Sequence, residues 1–156
     1  MELVIIAYGK LANPAFRTIF DDYANRIRKF SKFEIVELKE SITNDIKKNH
    51  ADNEEALFSL LDKKYKDYQK ILMDSEGNLL TSEKIAEALI EIEQYDKGKA
   101  VWIIGPSNGF LPHVRKKLTT IWSFGYITYP HQIFRILLCE QIYRGFKIKS
   151  GQKYHK

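Results

Sequence analysis

The chain has 156 residues, of which 44% are hydrophobic and 29% are charged, and its formal net charge is +5. This length and balance are typical of one globular domain with its own core, and they exclude an intrinsically disordered chain. No apolar run approaches the roughly 18 residues of a membrane-spanning helix, and the first residues lack the basic segment of a signal peptide. A single cysteine, Cys139, excludes an internal disulfide framework. We therefore expect a cytoplasmic protein in which this thiol is buried.

Apolar runs of strand length and stretches with helical spacing alternate along the chain. In the first half they predict a strand at 3–8, a helix at 14–27, a strand at 33–38 and a long charged helix at 43–65. In the second half they predict a strand at 70–74, a turn at 75–78, a helix at 82–95, a strand at 100–104, a helix at 111–122, a strand at 126–129 and a final helix at 131–148. This alternation predicts an α/β fold in which residues 1–156 form a single domain, with a mostly parallel sheet and helices on both faces.

The glycine-rich loops that bind phosphate groups are absent from the sequence. Only Gly9 follows the first predicted strand, and no GxxxxGK[ST] motif occurs. This argues against a dinucleotide-binding fold and against a P-loop enzyme. In open α/β sheets, ligands bind beyond the carboxyl ends of the strands. We therefore expect a site among the loops after Asp74, after Ile104 and around Tyr129.

Two of these loops have unusual compositions. Gly105 and Gly109 in GPSNGF allow a ligand to approach the backbone closely, and the N–H groups of such a turn can hold a polar or anionic group. Residues 123–131 combine a glycine, aromatic rings and Pro130, which suits a flat base such as adenine. An ordinary strand-to-helix turn and an aromatic core strand explain the same residues, so both alternatives stay open.

The final predicted helix, residues 131–148, is apolar in nearly every direction around its axis. Such a helix needs burial on nearly all sides, and a small sheet domain covers only one of them, so a homodimer is expected. Spacing of four residues places His131 beside Arg135 and Glu140 beside Arg144. We interpret Glu140–Arg144 as a structural ion pair and expect Arg135 to reach a carboxylate or a phosphate.

The charge imbalance of the chain lies entirely in this last segment. From His131 onwards, six of the 25 basic residues accompany one of the 20 acidic residues, which leaves 19 of each in residues 1–130. A neutral body with a basic, aromatic terminus indicates binding to a polyanion. No pair of histidines, and no histidine with Cys139, has the spacing of metal ligands, so no metal site is predicted.

Four stretches together resemble a known family. They are LVIIAYGKL at 3–11, KILMDSEGNLLTSE at 70–83, IIGPSNGF at 103–110 and YPHQIFRILLCEQIYRGFKIKSGQKYHK at 129–156. Over essentially its whole length the chain is similar to the bacterial large-subunit rRNA pseudouridine N3-methyltransferases, which belong to the SPOUT class of S-adenosylmethionine-dependent enzymes. The terminal stretch is the most specific part of this resemblance.

The resemblance implies a C-terminal trefoil knot, a homodimer and binding of S-adenosylmethionine in the loops of the knot. It also implies methyl transfer to N3 of a pseudouridine in 23S rRNA, on the assembled ribosome. The cofactor contacts that it implies, by matching position, are Met73, Gly105, Phe124, Gly125, Tyr126, Ile127, Thr128 and Tyr129.

Four positions depart from the family pattern. Met73 stands where leucine is usual, and Gly125 with Tyr126 replaces small polar residues. Pro106 follows Gly105 where many members have a second glycine, and proline has no N–H and a fixed φ. Because a cofactor contact through that N–H is lost, a non-catalytic module that binds RNA or the ribosome on the same fold stays open as an alternative. A flavodoxin-like nucleotide or flavin binder is a further alternative, against which the missing phosphate loops argue.

The proton on N3 of a pseudouridine must leave before or during methyl transfer, which calls for a base near the target. We expect His155 and Tyr154 at the target base, with His131 and Arg135 shaping the site at the start of the last helix. The side chains expected on RNA phosphates are Arg144, Lys153 and Lys156. We also expect the tail of one subunit to complete the site of the other.

Overall fold

Five strands and five helices alternate along residues 1–154, which are the residues that this computed structural model describes. The strands are β1 (Glu2–Tyr8), β2 (Lys32–Leu38), β3 (Gln69–Leu79), β4 (Lys99–Ile104) and β5 (Thr120–Ser123). The helices are α1 (Pro14–Ile27), α2 (Ile46–Lys64), α3 (Ser82–Tyr95), α4 (Pro112–Lys117) and α5 (His131–Lys149). No helix within this range is both long enough and apolar enough to cross a membrane.

The strands form one sheet in the order β2-β1-β4-β3-β5, and each neighbouring pair is parallel. The predicted α/β class is confirmed, and the sheet of the described residues is wholly rather than mostly parallel. Because parallel strands end at the same edge, the loops that follow β3, β4 and β5 meet there. The trefoil knot implied by the family resemblance stays a prediction.

Alternate residues of the central strands face two separate layers of the core. In β1, Leu3, Ile5 and Ala7 pack with residues of α1, α3 and α5, whereas Val4, Ile6 and Tyr8 pack with residues of α2 and α4. The prediction of helices on both faces is therefore confirmed. Strands covered on both faces are continuously apolar, which explains the uninterrupted apolar runs of the sequence.

The last helix has the predicted position, and it begins at His131. Its side towards the sheet carries Leu138, Cys139, Ile142 and Phe146, which are all buried. The expectation of a buried thiol at Cys139 is confirmed, and burial raises the pKa of this thiol, which keeps it protonated and unreactive.

Three predicted elements between residues 75 and 129 are wrong. The turn predicted at 75–78 belongs to β3, which pairs with β5 on both sides of a register shift between Met73 and Asn78. The helix predicted at 111–122 ends at Lys117, and Thr120–Ser123 forms β5 instead. Residues 126–129 form a loop rather than a strand. Tertiary pairing decides these assignments, because β5 needs the backbone groups of β3 as its hydrogen-bonding partners.

Gly77 allows this irregular pairing. A Cβ atom at this position would lie 2.8 Å from backbone atoms of Ile121 and Trp122 in β5. Backbone atoms cannot move aside as a flexible side chain can. The close approach of β3 and β5 at this point therefore requires glycine.

Replacement of Gly77 by alanine is expected to lower the free energy of unfolding by about 1–3 kcal/mol, because β5 must shift away from β3. Urea denaturation measures this loss. The exposed neighbour Asn78 provides the control, since Asn78→Ala is expected to change the stability by no more than about 0.5 kcal/mol. Equal effects of the two substitutions would show that the contact with β5 does not constrain position 77.

Arg135 fastens α5 to the carboxyl ends of β1 and β2. Its side chain is 1% exposed. Nη2 donates to the carbonyl oxygens of Tyr8 and Gly9, and Nη1 donates to Oε1 of Glu37 at 3.2 Å. The same Glu37 oxygen accepts the N–H of Leu11 at 2.7 Å. One buried guanidinium thus holds together a helix, two strand ends and the loop that follows β1.

Replacement of Arg135 by methionine is expected to cost about 3 kcal/mol of stability, the low end for a broken buried pair because Glu37 keeps some access to water. Arg17 offers a matched control, since its Nη2 lies 3.5 Å from the same Glu37 oxygen but its side chain is 40% exposed. Arg17→Met is expected to cost less than about 1 kcal/mol. Similar losses for both variants in urea denaturation would contradict this account of Arg135.

Candidate active site

The loops after β3, β4 and β5 surround a cavity of about 260 Å³ at the carboxyl edge of the sheet. This volume is close to the lower end of the range for small-molecule sites, about 300–1,000 Å³. Its apolar walls come mainly from Met73, Ile104, Trp122, Phe124 and Phe134. Backbone groups of the three loops and a few polar side chains complete the lining. The position agrees with the expectation that a ligand site lies among these loops.

The loop after β4 is a tight turn whose N–H groups have defined partners. The N–H of Gly109 donates to the carbonyl of Pro106 at 2.8 Å, and Gly109 has a φ of +65°. The N–H of Ser107 donates to Oε1 of Glu40 at 2.6 Å. Pro106 itself is buried. The turn is therefore formed without an N–H at position 106.

The loop after β5 is anchored by a serine and by contacts between aromatic rings. Oγ of Ser123 accepts the N–H of Gly125 at 3.1 Å and lies 3.2 Å from the carbonyl oxygen of Ser75. Gly125 has a φ of +117°, a region that disfavours other residues. The rings of Phe124 and Tyr129 lie 5.4 Å and 5.8 Å from the ring of Phe134. These contacts hold residues 124–130 over the cavity.

Seven of the eight residues expected to contact the cofactor line this cavity. They are Met73, Gly105, Phe124, Gly125, Ile127, Thr128 and Tyr129. The eighth, Tyr126, does not line it and is 83% exposed. The structure thus brings together residues that are far apart in the sequence.

His131 lines the cavity at the start of α5. Burial lowers the pKa of this histidine below 6.5, the Glu40 carboxylate opposes the effect, and the Arg135 guanidinium adds to it. The imidazole is therefore neutral near pH 7 and can accept a proton. Arg135 does not line the cavity, and its guanidinium is bound to protein groups. Of the two residues expected to shape the site, His131 lines the cavity and Arg135 does not.

The described part of the tail lies on α5 rather than at the cavity. The hydroxyl of Tyr154 donates to Oε1 of Glu140 at 3.2 Å, and its ring lies 5.0 Å from that of Tyr143. Burial, with the Glu140 carboxylate and Tyr23, raises the pKa of Tyr154 to about 12, so the phenol stays protonated at neutral pH. None of these residues lines the cavity.

The basic side chains expected on RNA phosphates differ in their surroundings. Arg144 binds Glu140 at 2.6 Å, as expected of a structural ion pair, and its guanidinium lies 4.8 Å from the ring centroid of Tyr154. Lys153 is exposed. His155 and Lys156, which were expected at the target base and on a phosphate, lie outside the described residues.

Sequence reasoning missed two charged residues of the cavity wall, Asp74 and Arg115. Nε of Arg115 lies 2.9 Å from Oδ2 of Asp74. An acid directly after the apolar run 71–73 was a usable signal, because the carboxyl end of a strand faces the site. Arg115 had no such signal, since its role depends on where α4 ends. The described residues contain no group of three or more His, Cys, Asp or Glu side chains that could hold a metal ion.

Comparisons with known proteins agree with this architecture. A family model described as "Predicted SPOUT methyltransferase" matches residues 1–155. The chain is 38% identical over 156 residues to "Ribosomal RNA large subunit methyltransferase H" of Mycoplasma capricolum subsp. capricolum, with all of both chains covered. It is also 38% identical over 156 residues to the protein of the same name from Mesoplasma florum, again with both chains fully covered.

A solved structure shares the fold at low sequence identity. It is described as a "probable methylase family protein" from Haemophilus influenzae Rd KW20, with a TM-score of 0.58 and 13% identity. The match covers 97% of this chain and 67% of that chain. At 13% identity this similarity supports the fold alone. The family model and the full-length relatives show the family. The chain belongs to the SPOUT methyltransferase family.

Proposed function

We propose that the protein transfers a methyl group from S-adenosylmethionine to N3 of a pseudouridine in 23S rRNA of the assembled ribosome, in the cytoplasm. The observation that carries the proposal is the cavity at the carboxyl edge of the sheet, which brings seven of the expected cofactor contacts together. The names of the full-length relatives support rRNA of the large subunit as the substrate.

The residues of the cavity fit this cofactor. The side chains of Met73, Trp122 and Phe124 offer an apolar surface of the kind that holds an adenine ring, and the space beside the backbone of Gly109 is open. Pro106 does not disrupt the turn, whose N–H groups at Ser107 and Gly109 already have partners. When bound, S-adenosylmethionine supplies a methyl group on a sulfonium, whose leaving group is a neutral thioether.

The protein then has two tasks, which are to align the target base and to accept the N3 proton. His131 lies in the cavity with a lowered pKa, so its neutral imidazole is one group that can accept this proton. We also propose that His155 and Tyr154 lie at the target base. Since Tyr154 is protonated at neutral pH, its proposed role is to donate a hydrogen bond rather than to act as the base.

A homodimer explains why the tail lies away from the cavity of its own subunit. On the side of α5 away from the core, the apolar residues Ile133 and Leu137 remain only partly buried. A second copy packed on this side would cover them, and it would receive the tail at its own site. Arg144, Lys153 and Lys156 are the proposed phosphate contacts, and they would lie beside the composite site.

The competing function is a non-catalytic module that binds RNA or the ribosome on the same fold. Isothermal titration calorimetry with S-adenosylmethionine separates the two. We expect saturable binding with one site per chain. RNA binding without any binding of S-adenosylmethionine would favour the non-catalytic module.

Deletion of residues 154–156 is expected to reduce methylation of ribosomes by about 100-fold or more, because the groups proposed at the target base are removed. The affinity for S-adenosylmethionine is expected to stay close to that of the full chain, since Tyr154 does not line the cavity. Transfer of radioactive methyl groups and calorimetry measure the two quantities. Wild-type turnover by the shortened protein would exclude a role of the tail in transfer.

The lowered pKa of His131 predicts a pH effect with a defined sign. In the window below 6.5 the unfolded chain binds a proton at this histidine more readily than the folded one, so acid favours unfolding. The wild-type protein is therefore expected to lose more stability than His131→Gln as the pH falls through this window. NMR titration of the imidazole checks the cause directly, and a pKa above 6.5 would contradict the proposed neutral acceptor.

A further inference from the structure

Asp74 and Arg115 put two opposite charges on the wall of the cavity, and the proposed transfer step uses neither. Asp74 follows Met73 directly in β3, and Arg115 lies in α4. Both side chains line the cavity. They are 13% and 28% exposed, so each is shielded from bulk water while still reaching the cavity surface.

The hydrogen-bonding capacity of this pair is not used up by the protein. Nη1 of Arg115 lies 2.5 Å from Oε2 of Glu76. Nε of Arg115 is 2.9 Å from Oδ2 of Asp74 but lacks hydrogen-bond geometry, and Nη2 makes no hydrogen bond within residues 1–154. Oδ1 of Asp74 accepts one N–H, that of Glu76, at 2.9 Å. A guanidinium N–H group and carboxylate lone pairs thus remain available to a ligand.

The rest of the cavity wall shows which part of a ligand would meet this pair. Among the described lining residues, Asp74 and Arg115 are the only acid and the only lysine or arginine. The other side chains are apolar, aromatic or small and neutral, apart from His131 at the start of α5. A ligand that fills the cavity therefore needs an apolar portion and a portion with both charges.

We propose that the Asp74–Arg115 pair binds the α-amino-acid end of S-adenosylmethionine, with Arg115 on the carboxylate and Asp74 on the ammonium group. The inference rests on the proposed function and assigns these two residues within that site. A zwitterion offers two opposite charges a short distance apart, which match the two charges of the pair. A pair that only fastened α4 to β3 would explain the 2.9 Å contact, but it would not require that both residues line the cavity or that Nη2 lack a partner within residues 1–154.

The test compares two nucleosides that share adenine, ribose and a thioether sulfur. S-adenosylhomocysteine carries the amino-acid end, and 5′-methylthioadenosine lacks it. Calorimetry with the full chain is expected to show that Arg115→Met weakens binding of S-adenosylhomocysteine by about 10- to 100-fold. This is the usual loss of affinity when a hydrogen bond to a charged group is removed. Binding of 5′-methylthioadenosine is expected to change little.

Lys117→Met is the matched control. Lys117 also lies in α4 and also holds an ion pair, with Glu54 at 3.2 Å, but it does not line the cavity. We expect this variant to bind both nucleosides as the wild type does. Asp74→Asn is the second variant of the pair, and it keeps the shape of the side chain. It is likewise expected to weaken the binding of S-adenosylhomocysteine but not that of 5′-methylthioadenosine.

The outcomes separate this inference from the function on which it rests. If Arg115→Met and Asp74→Asn weakened the binding of both nucleosides equally, the pair would only shape the cavity wall. That result would overturn the inference. Unchanged binding of S-adenosylhomocysteine by both variants would overturn it as well. If the wild-type protein bound neither nucleoside nor S-adenosylmethionine, the proposed function itself would fail. If Arg115→Met did not fold, Asp74→Asn alone would decide by the same comparison.

Discussion

The parallel direction of all five described strands is the constraint on which the proposed site depends. It places the carboxyl ends of β3, β4 and β5 at one edge, so three loops from distant parts of the sequence form one cavity. Arg135 stabilises the same edge of the sheet, because it joins the carboxyl ends of β1 and β2 to α5. His131 is the first residue of the same helix, so the contacts of Arg135 that stabilise the fold also help to position a cavity residue.

The chemistry proposed for the site follows from a division of roles between groups of different polarity. Apolar rings and a glycine turn suit the nucleoside, while the Asp74–Arg115 pair suits its charged end. The neutral imidazole of His131 suits proton acceptance. Basic residues of α5 and the tail suit a phosphate backbone, which explains why the charge excess of the sequence lies beyond residue 130.

Local sequence patterns predicted the elements whose residues pack in a regular way, such as β1, α1 and β4 with their apolar periodicity. They failed where long-range pairing decides the conformation. Residues 75–79 contain turn-forming types, yet they extend β3 because β5 pairs with them around Gly77. Seven of the residues that the family resemblance implies as cofactor contacts line one cavity, and their contact with a cofactor stays a prediction. The resemblance did not indicate Arg115, whose place depends on the short α4 and its contact with Asp74.

The proposed activity is methylation of N3 of a pseudouridine in 23S rRNA. The most direct measurement incubates the purified protein and S-adenosylmethionine with ribosomes that lack the modification, and then identifies the modified nucleoside by mass spectrometry of digested 23S rRNA. We expect one new N3-methylpseudouridine and no other methylated nucleoside. A methyl group on a different base, or no methylation by a protein that binds S-adenosylmethionine, would contradict it.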